Sequence, residues 1–191
     1  MWIKICGMTS ERAVAAALAA GADAIGFVFA PSARGRVRCV AVTRHPTQAE
    51  LDALLREFRP DVLQTDALDL EALRLPEALE QLAVLRSGAP LPAPLPRRLL
   101  YEGPASGSGT LSDWPAAGAL AQRTQLVLAG GLDARNVAHA IAVVQPFGVD
   151  VSSGVEERPG VKNAAAIGDF VAAARAAAAQ IEPAAPASEG S

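Results

Sequence analysis

Cys6, Glu102 and Asp150 are the residues of this chain whose types and placement suit proton transfer. Each closes or lies within a short apolar run, namely Trp2–Cys6, Arg98–Glu102 and Phe147–Val151. A free thiol titrates near about 8.5 and acts as a base only as thiolate, so it calls for a positive neighbour. Lys4 answers that need, because strand alternation puts Lys4 and Cys6 on one face and Ile3 and Ile5 on the other. A carboxylate such as Asp150 inside an apolar run needs a partner. By position alone, Cys6 also suits packing and Glu102 also suits a solvated loop acid. Gln64 ends a further apolar run, and Arg34 and Arg36 can meet one anion.

Three glycine-bearing turns follow late runs of the chain: Gly107-Ser108-Gly109, Gly130-Gly131 and Ser152-Ser153-Gly154. Glycine lets backbone N–H groups approach a ligand closely, and turns that open helices aim positive dipole ends at an anion. Together they point to a phosphorylated small molecule. His45 precedes Pro46 in a loop and His139 sits mid-helix, so both read as surface or packing residues. No His/Cys/Asp/Glu group has metal-ligand spacing, so no metal site is expected.

These residues need a frame, and the hydrophobic pattern supplies one. Strands are expected at Trp2–Cys6, Ala24–Phe29, Cys39–Val42, Asp61–Gln64, Leu82–Arg86, Arg98–Glu102, Gln125–Ala129 and Phe147–Val151. Most are short and apolar, as strands buried on both faces are. Ser10 and Gly21 bracket a helix over Glu11–Ala20. Thr47 and Glu50 form a capping box ahead of Leu51, Leu54, Leu55 and Phe58. Asp133 is expected to cap Ala134–Val144, and Asn163 to cap Ala164–Gln180. Pro76 shortens any helix within Asp66–Glu80. Pro90, Pro92, Pro94 and Pro96 forbid one over Ser87–Pro96. Eight alternations of strand and helix imply an α/β fold, a (β/α)8 TIM barrel with a shortened or missing helix between strands five and six. Active sites of such barrels lie where strands end and the following loops begin. One barrel domain is expected over 1–181, with a disordered Pro/Ala/Ser-rich tail over 182–191.

The 191 residues, 51% hydrophobic and 19% charged, suffice for one soluble core, and a net charge of −3 without a basic face argues against nucleic acid. The start of the chain lacks a leader-like apolar stretch, and no run reads as a membrane span of about 18 residues. Two cysteines are too few for a disulfide framework. A cytoplasmic protein with reduced thiols, free of membrane and nucleic-acid partners, is expected.

Several segments resemble the phosphoribosylanthranilate isomerase family over nearly the whole chain. Lys4-Ile5-Cys6-Gly7-Met8-Thr9 is similar to its first strand, and Gly21–Phe29 to its second. Gly107-Ser108-Gly109 with Asp113-Trp114, Leu128–Leu132 with Asn136-Val137, Val149–Glu156, and Pro159-Gly160-Val161-Lys162 resemble its later blocks. The resemblance implies a cofactor-independent Amadori rearrangement of N-(5-phosphoribosyl)anthranilate to 1-(2-carboxyphenylamino)-1-deoxyribulose 5-phosphate, a step of tryptophan biosynthesis. It makes Cys6 the general base and Glu102 the general acid, in place of the family's usual aspartate. Burial is expected to help keep Glu102 protonated. Asp150 would hold the anthranilate amine or steer the intermediate. Arg34 or Arg36 would meet the anthranilate carboxylate, which of the two being open; Lys4 and Gln64 would meet other parts of the substrate, and the glycine turns its phosphate. A monomer or homodimer is expected.

Two stretches depart from the family pattern. Arg34-Gly35-Arg36 stands where a Pro-Arg-Tyr-like triplet is usual, and Gln64-Thr65-Asp66-Ala67 where Gln-Leu-His-Gly is. They leave room for another phosphosugar isomerase, or for a barrel that binds a phosphorylated ligand without turnover.

Overall fold

The computed structural model describes residues 1–27, 33, 35–105 and 110–181. Eight parallel strands close into a barrel in sequence order: β1 (Trp2–Met8), β2 (Ala24–Phe27), β3 (Arg38–Val42), β4 (Val62–Asp66), β5 (Glu80–Arg86), β6 (Arg98–Glu102), β7 (Gln125–Leu128) and β8 (Gly148–Val151). β1 pairs with β8 in register Trp2↔Gly148 and Lys4↔Asp150, which seals the sheet. Outside it lie α1 (Glu11–Ala20), α2 (Gln48–Glu57), α3 (Ala67–Ala72), α4 (Trp114–Ala121), α5 (Val137–Val144) and α6 (Ala164–Ile181). A small hairpin of β9 (Glu156–Arg158) and β10 (Val161–Lys162) follows β8.

Two apolar layers follow from strand alternation. Ala24, Val40, Val62, Leu82, Leu100 and Val127 fill the barrel. Ile3, Ile5, Ile25, Leu63, Leu99 and Leu126 face outward and pack under the helices. The amino-terminal end of the barrel is closed by Trp2 stacked on Phe147, with the Arg98 guanidinium 4.9 Å from the Phe147 ring centroid. Asp23 ties the last helix to the first strand, accepting hydrogen bonds from Ile3 N at 2.8 Å and from Arg175 at 2.7 Å.

Local signals translate directly into several helix ends. Ser10 accepts from Ala13 N, and Gly21 closes α1 in the left-handed conformation. Thr47 and Glu50 form the expected reciprocal capping box on α2. Asn163 accepts from Ala166 N at the start of α6. The proline-rich segment between β5 and β6 holds no helix, as expected.

Other boundaries move. α5 begins at Val137 rather than Ala134. Asp133 accepts from the N–H groups of Arg135 and Asn136, and Asn136 accepts in return from Asp133 N, so these residues form a closed turn ahead of the helix. β1 continues to Met8 through an irregularity after Ile5, where Gly7 takes φ +75°, a value open to glycine. β4 runs on to Asp66, whose carboxylate therefore stands at the strand's carboxyl end. α6 is long and apolar enough to cross a membrane by length and composition, contrary to the reading that no run is. Its Ile167, Phe170, Val171, Ala174 and Ala177 are nevertheless buried against the rest of the fold. The expected tail, 182–191, lies outside the described residues.

Candidate functional site

Lys4 and Asp150 meet because barrel closure sets them opposite each other on β1 and β8, both facing inward. Lys4 Nζ donates to Asp150 Oδ1 at 2.7 Å, and the lysine side chain is 0% exposed. Burial pulls the ammonium toward neutrality, but Asp150 and Cys6 outweigh it and hold Lys4 above its ordinary value. The carboxylate thus has the partner that its apolar strand demands.

Cys6 adjoins the same ammonium. Burial pushes its thiol up; Lys4 and Lys162 pull it down, while Asp150 adds to the rise. The net direction is upward, so the resting side chain is a thiol and the lowering expected from Lys4 is only partial. Space for both side chains comes from Gly26 on β2. A Cβ there would stand 2.9 Å from Cys6 Sγ and 3.2 Å from Lys4 Nζ.

One pocket at the carboxyl end of the barrel is lined by Glu102, Ala129–Leu132 and Asp150–Ser153, together with Gly103, Ala105 and Thr110. It brings Glu102, Gly130, Gly131, Asp150, Ser152 and Ser153 to one cavity. Cys6 joins this wall through Asp150, whose partner Lys4 also contacts the thiol. Gly154 has a packing duty: a Cβ there would collide with the Leu132 carbonyl oxygen, and so the β8 turn sits tightly on the β7 turn. Lys162, reaching back from β10, donates to Ser152 O at 3.0 Å, Ser152 Oγ at 3.2 Å and Glu156 at 2.7 Å. Gly107, Ser108 and Gly109 lie outside the described residues.

On the opposite rim stands a second charged group. Arg86 ends β5 beside Glu102 in register. Its Nε is 3.3 Å from Glu102 Oε1, and its NH1 is 2.8 Å from Asp66 Oδ1. One guanidinium thus bridges the carboxylates that end β4 and β6. His45 Nε2 lies 3.5 Å from Asp66 and its Nδ1 3.0 Å from Asp69, which also accepts from Thr65 Oγ1 at 2.8 Å. His45, Asp66 and Asp69 bring possible ligand atoms within 4.8 Å of one another although nothing in their spacing suggests it. These groups already satisfy one another, and the Arg86 charge opposes a cation there.

The remaining expected contacts divide. Gln64 faces inward on β4, buried, its Oε1 without a hydrogen-bond partner among the described residues. Arg36 is exposed on a turn closed by its N–H to Ala33 O. Arg34 lies outside the described residues. Sequence reading passed over Asp66, Arg86, Gly26 and Lys162 as site builders. The available signal was a charged residue at the carboxyl end of two successive apolar strands, Arg86 and Glu102; Asp66 lies two positions past the strand end expected at Gln64.

The chain matches, over residues 3–173, a family model described as N-(5'phosphoribosyl)anthranilate (PRA) isomerase. It is 35% identical to the N-(5'-phosphoribosyl)anthranilate isomerase of a Bradyrhizobium strain, covering 92% of this chain and 95% of that one. Among solved structures it resembles TrpF from Jonesia denitrificans, with TM-score 0.75 and 35% identity over 93% of this chain and 98% of that one. It also resembles the phosphoribosyl anthranilate isomerase of Thermus thermophilus, with TM-score 0.76 and 29% identity over 92% and 99%.

Proposed function

The chain belongs to the N-(5'-phosphoribosyl)anthranilate isomerase family, and from that premise we propose that it is a cofactor-independent isomerase converting N-(5-phosphoribosyl)anthranilate to 1-(2-carboxyphenylamino)-1-deoxyribulose 5-phosphate. The observation that carries the reading is Asp150. It lines the same pocket as Glu102, Gly130, Gly131, Ser152 and Ser153, and it is bonded to the lysine that contacts Cys6.

Glu102 gives a proton to the ribose ring oxygen as the C1–O bond breaks, and the nitrogen lone pair forms the Schiff base. The Cys6 thiolate then removes the C2 proton, and the electrons flow back to nitrogen to give the enol amine, which tautomerises to the ketone. Lys4 and Lys162 supply the positive charge that lets the buried thiol ionise. Asp150 stabilises the cationic nitrogen of the intermediate. The N–H groups of the Gly107–Gly109, Gly130–Gly131 and Ser152–Gly154 turns hold the phosphate. Gln64 and one of Arg34 and Arg36 meet the anthranilate end. The working unit is the barrel of residues 1–181, monomeric or homodimeric and cytoplasmic, with 182–191 as a tail.

The test is turnover of freshly prepared phosphoribosylanthranilate, followed by anthranilate fluorescence. Cys6→Ser and Glu102→Gln should each lower kcat by about 10²–10⁴-fold, the range for a lost general base or acid. Binding of substrate without turnover by the unaltered chain would leave a ligand-binding barrel instead.

A further inference from the structure

If the isomerase reading holds, Glu102 poses a problem of reach. It carries one more methylene than the aspartate the family resemblance leads one to expect, so its carboxyl sweeps a larger volume. More rotamer freedom must be lost before it can protonate one ring oxygen. We propose that Arg86 is a positioning residue that fixes Glu102, held in place by Asp66 from β4 and His45 from the loop between β3 and α2.

The geometry supplies a continuous chain of contacts. Arg86 presents Nε to Glu102 at 3.3 Å and NH1 to Asp66 at 2.8 Å, so its planar fork is anchored on one carboxylate while it touches the other. Asp66 is steadied in turn by His45 Nε2 at 3.5 Å. His45 is pinned to Asp69 by both its ring and its backbone N–H, at 3.0 and 2.9 Å, on a residue with φ +49°. A non-glycine residue in that conformation persists only where its surroundings hold it.

The unequal distances suit an acid. Asp66 and Glu102 share one guanidinium, and Asp150 lines the same pocket as Glu102. Of the two, Glu102 has the longer contact to Arg86. Arg86 therefore fixes the carboxyl's position without claiming its charge outright, as a bidentate pair would.

A double-mutant cycle on the full chain tests this. The unaltered protein is assayed first: absence of turnover would overturn the isomerase reading, and the positioning proposal with it. Given turnover, Arg86→Met should lower kcat by about tenfold or more while KM moves less than about threefold. The pH limb assigned to Glu102 should move upward as its cation is removed. Arg86→Lys should restore part of the rate. In the Glu102→Gln background, Arg86→Met should cost no further kcat, because the residue through which it acts is already disabled. Equal losses in both backgrounds, or a change confined to KM, would overturn the positioning role. Should Arg86→Met fail to fold, Asp66→Asn run through the same cycle decides, with a smaller loss of the same pattern expected and additive losses refuting it.

Discussion

At the β1–β8 seam Lys4 is fully buried and bonded to one carboxylate, Asp150, whereas at the β4–β6 rim Arg86 keeps 23% of its side chain exposed and serves both Asp66 and Glu102. The first arrangement is a dry pair in low dielectric, where each charge depends wholly on the other. The second is a half-solvated network, where water replaces part of any contact that is lost. A thiol base that must reach a carbon-bound proton gains from a rigid setting. The acid at the rim is instead held by a network of several partners, each of them partly open to water.

Breaking the dry pair should have the largest effect on stability. Asp150→Asn strands a buried ammonium and is expected to lower unfolding free energy by about 3–5 kcal/mol in urea denaturation. Pairing it with Lys4→Met should recover much of that loss. A single mutant no worse than a surface charge deletion would show that the seam is wetter than described.

The two sides should also fail at opposite ends of the pH scale. Lys4 and Cys6 titrate higher in the folded chain than when free. Their contribution is complete below the unfolded values and is lost as pH rises through the folded ones. Asp69, where burial raises the carboxyl but hydrogen bonds from His45 and Thr65 prevail, titrates lower. Its contribution is present above the unfolded carboxylate value and is lost as pH falls through the folded one. Midpoints of urea unfolding across pH should therefore drop in alkali for the unaltered chain, and the alkaline drop should shrink in Cys6→Ser. For the same reason kcat should rise with pH to beyond the ordinary thiol range. A plateau reached well below that range would contradict the raised thiol.

Gly26→Ala sharpens the contrast by crowding only the dry side. The added Cβ would sit 2.9 Å from Cys6 Sγ, tighter than packing tolerates. Overpacking of about 1–3 kcal/mol is expected, with a kcat loss out of proportion to any change in KM. The smallest effect belongs to the wet side: His45→Ala removes an exposed partner of Asp69 and should cost about 0–1 kcal/mol, measured by thermal melting. A loss comparable to that of Asp150→Asn would show that the rim is not buffered by solvent.

Much of the frame was legible in the residues themselves. Apolar runs gave the number and order of strands, and caps such as Ser10, Thr47 with Glu50, and Asn163 marked helix starts, because the groups that satisfy them lie within a few positions. The prolines of 90–96 announced the absent helix for a similarly local reason. Strand ends were harder to read. β4 reaches Asp66 because Asp66 pairs in register with Val84 on β5, a partner no local pattern reveals.

The alternation of elements, the inward faces of the strands, and the candidates Cys6, Glu102 and Asp150 near their ends follow from the residues alone, since these depend on period and neighbouring residues. Which side chain meets which is set by how the strands come together in space. Closing β1 onto β8 joined Lys4 to Asp150 across 146 positions of chain, and parallel registry set Arg86 beside Glu102. Charges respond to distance and burial, and for strands brought together by barrel closure neither follows from separation along the chain.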